Sequence, residues 1–428
     1  MNSRLALSTA LSLVIYASAL CSAQPSLLPP GAPTSSSGRM GVRTEIRSIP
    51  FTITTPGSYY LSGDLTQTVP GSSGITIAAS RVTIDLMGFS LTGMGTPNSG
   101  ITFQPSAVIR DVTIHHGFVS GWGGSGIDIS LIPDGHVWEV TADGNGANGV
   151  WAGPVSNVRD IVATNNGDAG VRTDFGCRIS GVVAYYNAAD GIATGSDCHV
   201  SDATAVSNSM GGINLGASSV LVDSTADGNG GVGILASTSS RIADCSASFN
   251  GSFGWGDGFD VFGDANLLRG CTAYQNASNG FESSSGTSSG SSAEECVAAY
   301  NGYGAFGGSG FAGIKNVFNC RANNNTGDGI VAFVGAHVYR NTCESNILNG
   351  IEAGSNGCVI EQNYVLRNIG IGIKTFGSGG LGNLVTSNRA TQNTGGNFSF
   401  TPSDTTGPII AGPTILSSPA AAVANVSF

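Results

Sequence analysis

Trp255, Asp257, Phe259, Asp260 and Asp264 fall within ten residues of one another, Glu282 follows, and Arg269 and Lys315 supply cations in a chain with only two lysines. Aromatic faces and carboxylate acceptors are the usual means of holding sugar rings. Trp255, Phe259, Asp260, Asp264 and Arg269 are therefore the candidate substrate contacts. Two chemistries fit such a set. Hydrolysis of a glycosidic bond pairs two carboxyl groups, and Asp257 with Glu282 is the available pair. Cleavage of an acidic polysaccharide by β-elimination needs instead a base for the C5 proton and a cation to neutralise the uronate.

Composition narrows the partners. Of 428 residues only 11% are charged, 65 are glycine, and the net charge is −11. Proteins that bind nucleic acid carry basic faces, so a nucleic-acid partner is excluded. Arg4 precedes an apolar run from Leu5 to Leu20, and Cys21-Ser22-Ala23 ends it in small residues, which reads as a secretory signal at 1–23 cut after Ala23. Residues 24–40 read as a flexible Pro/Ser/Gly leader, and no other stretch is long and apolar enough to span a membrane. The expected product is a secreted monomer that is extracellular, periplasmic or held at the cell surface.

The candidate residues are positioned by a repeat. Asn145, Asn166, Asn187, Asn208, Asn229 and Asn250 stand 21 residues apart, and Asn276, Asn301, Asn325, Asn346, Asn368 and Asn393 continue the series with gaps of 26, 25, 24, 21, 22 and 25. Eight before each asparagine the residue is aliphatic in every repeat, from Val137 to Val385, and three before it alanine stands in ten of twelve. Five after it come Val150, Val171, Ile192, Ile213, Ile234, Trp255, Phe281, Phe306, Ile330, Ile351, Ile373 and Phe398. This pattern fits three short strands per coil of about 21 residues, stacked as a solenoid. Glycine before the +5 residue predicts a corner with positive φ, and the asparagines predict a ladder of amides bonded from coil to coil. Cys245, Cys271, Cys296 and Cys320 occupy one column and Cys177 and Cys198 another, which reads as buried free thiols in small core slots.

The N-x-x-x-G-[IVF] ladder, preceded by I-x-D-C-x-A, resembles the right-handed parallel β-helix repeat of pectate-lyase-like proteins over about residues 108–398. Pro50 to Leu61 resembles the opening region of exported bacterial members. The resemblance implies an all-β solenoid at 41–398 with its own N-terminal cap, and residues 399–428 as a C-terminal cap or tail. It also implies lyase chemistry: Lys315 or Arg269 as base, with Ca2+ as the candidate cofactor held by Asp257, Asp260 or Asp264. The catalytic candidates are thus Lys315, Asp257 and Glu282. Three repeats between Asn250 and Asn325 carry five, four and three extra residues, placed after the +5 position, so their loops would stack into one wall beside the coils.

Other outward columns carry weaker signals. Asp202, Asp223 and Asp244, six before the asparagine, fit turn-capping aspartates better than a calcium stripe. His136, Asn157, Arg178, His199 and Arg241, nine before it, fit a solvated face, and His115-His116-Gly117 lacks the acidic motifs that polygalacturonases set beside such a sequence. A protein that binds, cleaves or epimerises an extracellular polysaccharide is the leading reading, against a non-catalytic structural or adhesive rod.

Overall fold

The computed structural model describes residues 43–252, 254–284, 290–304, 307–376, 382–411 and 423–427, all within one compact unit, Val42–Phe428. The readings placed on residues 1–40 lie outside this set, as does Phe306. Every element is a strand, and the strands form two parallel sheets of 31 and 16 strands. Each coil contributes one strand to the smaller sheet, such as Ile213–Leu215, and to the larger either one long strand, such as His136–Asp143, or two short ones, such as Val220–Val222 and Thr225–Asp227. Each strand pairs with its equivalent one coil on, so the chain winds as a right-handed parallel β-helix.

Alternation along each short strand sends apolar residues inward. Val137, Ala142 and Val150 are fully buried, and their columns stay buried through Val385, Ala390 and Ile373. The asparagines form the expected ladder. Asn229 Nδ2 donates to Asn250 Oδ1 at 2.9 Å and to the Ala205 carbonyl at 3.1 Å, while its Oδ1 accepts from Asn208 Nδ2 and the Asn208 amide, both at 3.0 Å. All four hydrogen-bonding positions of a buried amide are satisfied.

Two further ladders run beside the first. Asn341, Asn363, Asn388 and Asn425 are joined amide to amide at 2.9–3.1 Å, in the column that Cys296 and Cys320 occupy in earlier coils, where the Cys320 amide donates to Asn341 Oδ1 at 2.8 Å. The thiols take part: the Cys177 amide donates to Cys198 Sγ at 3.3 Å, and Cys198 Sγ donates to the Asp174 carbonyl at 3.2 Å. All eight described cysteines are free and buried, so the expectation of free thiols holds, with hydrogen bonding added to slot-filling. The strand Asn425–Ser427 pairs with Arg389–Thr391, which docks this part of the C-terminal tail on the last coils.

Two expectations are corrected. Apart from Gly254, at φ 89°, the repeat glycines do not turn with positive φ; at Gly233 an added Cβ would stand 2.5 Å from Asn250 Nδ2 and 2.7 Å from the Gly258 carbonyl. Close approach to the asparagine ladder requires them. Positive φ is found instead one and six residues before each asparagine; in the latter column Glu139, Asp160, Asp202, Asp223 and Asp244 all lie at φ 50–54°, with Gly181 and Gly270 at 62–63°. Aspartate and glycine are the types that tolerate this left-handed corner, which explains the acidic column without a cation.

The inserted residues also sit elsewhere. The inward position after Asn250 is Phe259, not Trp255, and after Asn301 it is Phe311. Phe259, Phe281 and Phe311 stack face to face at 4.7 and 4.8 Å. Two of the three insertions therefore precede the inward residue, and Trp255 is left 64% exposed.

Asn229→Ala removes both side-chain donors and the acceptor, leaving the Asn208 amide unpaired and Asn250 Oδ1 with only the residue-229 backbone amide as donor. We expect a loss of about 3 kcal/mol, read as faster hydrogen exchange at the Asn208 amide and its coil neighbours.

Candidate functional site

The middle residue of each strand in the 16-stranded sheet faces outward, and parallel register stacks these residues into a column. Trp151 pairs with Arg172, Arg172 with Ala193, Ala193 with Asn214, Asn214 with Leu235, Leu235 with Asp260, and Asp260 with Glu282. Two hollows lie along this column. One, of about 460 Å³, is lined by Trp151, Arg172, Thr194 and Asn214; the next, of about 320 Å³, by Asn214, Leu235, Asp190, Met210 and Trp255. Asn214 belongs to both, so together they make one groove along the coils. The Arg172 guanidinium lies over the Trp151 ring at 5.1 Å, with Asp168 3.9 Å away. Asp190 fixes the floor, accepting from the Gly211 amide at 2.8 Å and from Asn214 Nδ2 at 3.2 Å.

Beyond Trp255 the column turns acidic. Asp257 is only 8% exposed, and its Oδ1 accepts from the Asn279 amide at 2.7 Å. Asn279 Nδ2 donates to Glu282 Oε2 at 2.8 Å. One asparagine thus holds two carboxyl groups that face each other. Burial, and then the adjacent Glu282 charge, push the Asp257 carboxyl up to about 8. Burial also raises Asp260, whose Oδ1 is enclosed without a hydrogen-bond partner. Asp257 is thus biased towards its protonated form beside Glu282, an arrangement able to give and take protons.

The same build recurs three coils on. The Asn349 amide donates to Asp328 Oδ1 at 2.7 Å, and Asn349 Nδ2 to Glu352 Oε2 at 2.8 Å. Here Lys374 adds a charge 3.8 Å from Glu352. Burial raises both Asp328 and Glu352. The N-x-x-E spacing, Asn279 to Glu282 and Asn349 to Glu352, was the signal available in the sequence.

The predicted residues divide. Asp257, Asp260, Glu282 and Trp255 meet on this face. Phe259 does not bind at the surface, because it is fully buried in the phenylalanine stack. Lys315 is directed elsewhere, its Nζ donating to the Val334 carbonyl at 2.8 Å. Arg269 lies on the larger sheet, paired with Glu295 at 3.2 Å. Asp264 is exposed at the following corner, its backbone carbonyl accepting from the Ser239 amide. Sequence reasoning missed Trp151, Arg172 and Asn214, since single residues in different coils become neighbours only through register.

No family model matches the chain, and no curated protein matches it. Among solved structures it is similar to the A-module of the Azotobacter vinelandii mannuronan C-5 epimerase AlgE6, at 14% identity and TM-score 0.42 over 61% of this chain and 87% of that one. It is also similar to the tailspike protein of E. coli bacteriophage HK620, at 12% identity and TM-score 0.41 over 78% and 71%. The chain is a right-handed parallel β-helix.

Asp257 has a folded-state pKa above its unfolded value, so its proton favours the folded state. That contribution is whole below about pH 4 and is lost as pH rises through about 8. Asp257→Asn should flatten the fall in stability across this window, measured as hydrogen exchange at the Asn279 amide against pH. An unchanged slope would place the buried proton on another group.

Proposed function

We propose that this protein is exported and binds a polysaccharide lengthwise along the outer face of its 16-stranded sheet. One observation carries the reading: the two hollows share Asn214, Trp151 lines one and Trp255 the other, and their outward column continues from Leu235 to Asp260 and Glu282. From the Trp151 coil to the Asp260 coil is five strand steps, roughly 24 Å at strand spacing, room for several sugar rings. Aromatic faces supply apolar contact to the rings, Asn214 donates to and accepts from hydroxyls while Asp190 accepts, and Arg172 is placed to meet an acidic substituent.

A catalytic reading is favoured by the Asp257 proton. Asn279 holds Asp257 and Glu282 side by side, its amide donating to one and its Nδ2 to the other. A protonated Asp257 next to a second carboxyl group suits proton transfer to and from a bound sugar, as elimination or epimerisation requires. The unpartnered Oδ1 of Asp260, beside Glu282, is the oxygen left to meet a cation. Ca2+ is the candidate, since carboxylates are its usual ligands.

The test is binding to a panel of uronate-containing and neutral polysaccharides, read by affinity electrophoresis. Trp151→Ala and Trp255→Ala should each weaken the retained polysaccharide by about 1–2 kcal/mol, roughly five- to thirtyfold in Kd. Lys315→Ala should leave binding unchanged. Equal binding by both tryptophan variants would sink the groove.

A further inference from the structure

On the larger sheet, away from the groove, Asp85, His115 and His116 bring one carboxylate oxygen and two imidazole nitrogens within 4.8 Å of one another. Both His115 Nδ1 and His116 Nδ1 lie 3.7 Å from Asp85 Oδ1. Among the described residues no other group of three such side chains is as close. We propose that this triad is a binding site for a divalent transition ion of the zinc type.

The backbone explains how consecutive histidines reach one point. In a regular strand, neighbours face opposite ways. His116 occupies the left-handed corner at φ 62°, which breaks the alternation and turns its ring back towards Asp85. His115 faces outward in register with Asp85 on one side and Trp138 on the other. Its ring is stacked on Trp138 at 4.8 Å and 7°, which fixes its plane.

The carboxylate is held as well. Arg43 donates to Asp85 Oδ2 at 2.6 Å, and the Met87 amide to Oδ1 at 2.9 Å. Ligand carboxylates are usually anchored in this way by outer hydrogen bonds. Arg43 brings a positive charge that opposes a cation, but it occupies the far oxygen and leaves Oδ1 facing both rings. Glu139, in the next coil, acts on His115 with the opposite sign.

The spacing suits the ion. Two ligands bound at 2.0–2.1 Å to a tetrahedral centre stand roughly 3.3 Å apart, so the 3.7 Å separations from Asp85 Oδ1 close with a shift of a few tenths of an ångström and the whole set, within 4.8 Å, with a shift of about 1.5 Å at most. Two imidazoles and one carboxylate are borderline donors that select zinc-like ions, whereas Ca2+ and Mg2+ take oxygen ligands. Three protein ligands leave a position for water, and His116 is 56% exposed, so an ion has a way in.

Untagged mature protein titrated with Zn2+ by calorimetry, and with Co2+ by visible absorption, tests the site. One ion per chain is expected, with no uptake of Mg2+. His116→Asn keeps a residue that tolerates the left-handed corner, and Asp85→Asn keeps the carboxylate's shape. Each should weaken the ion roughly a hundredfold or more with the circular dichroism unchanged. His199→Asn, on an exposed histidine of the same sheet, should bind as the unaltered protein does. No ion on the folded protein, or unaltered affinity in both the His116 and Asp85 variants, would overturn the proposal.

Discussion

The hydrogen bond from one asparagine amide to the next sets everything else in this molecule. A buried corner of a coil leaves an amide N–H and a carbonyl without water, and each must find a partner. Asparagine alone among small side chains offers two donors and an acceptor in one plane. Stacked at strand spacing, Asn145 through Asn393 satisfy one another and the backbone of the coils on either side. The glycine four residues after most of these asparagines is then required, because a side chain there would collide with the ladder itself.

A ladder this regular forces register on the outside as well as the inside. Trp151, Arg172, Asn214, Leu235 and Asp260 come from five separate coils yet form one continuous face. Function on such a scaffold lies along the coils, in columns, and a repeating ligand is the natural match to a repeating surface. The acidic end of the groove appears where the repeat is interrupted. The residues inserted between Asn250 and Phe259 carry Trp255 out to the surface and bring Asp257 in beside Asn279 and Glu282.

The core was legible in the sequence because burial repeats: the aliphatic, alanine and asparagine columns each return at one fixed offset. The same counting misled where the offset changed. Trp255 stands five after Asn250 and follows a glycine, so it matched the inward pattern as well as Phe259 did. After Asn301 the glycine rule would have chosen Gly310-Phe311 over Ala305-Phe306. The carboxyl members of the site, Asp257, Asp260 and Glu282, were visible as a local concentration of charge. Lys315 and Arg269 were near them in sequence only; a corner and a change of sheet separate them in space. The groove and the Asp85–His115–His116 triad rest on pairings across coils, which no local window contains.

The most direct test of the account is carbene footprinting of the intact protein with and without each polysaccharide of a uronate-containing and neutral panel. The account predicts protection of Trp151, Arg172 and Trp255 together by at least one polysaccharide, with Trp138 and His136 on the opposite sheet left as reactive as before. Protection confined to the larger sheet, or none from any polysaccharide while the protein remains folded, would contradict it.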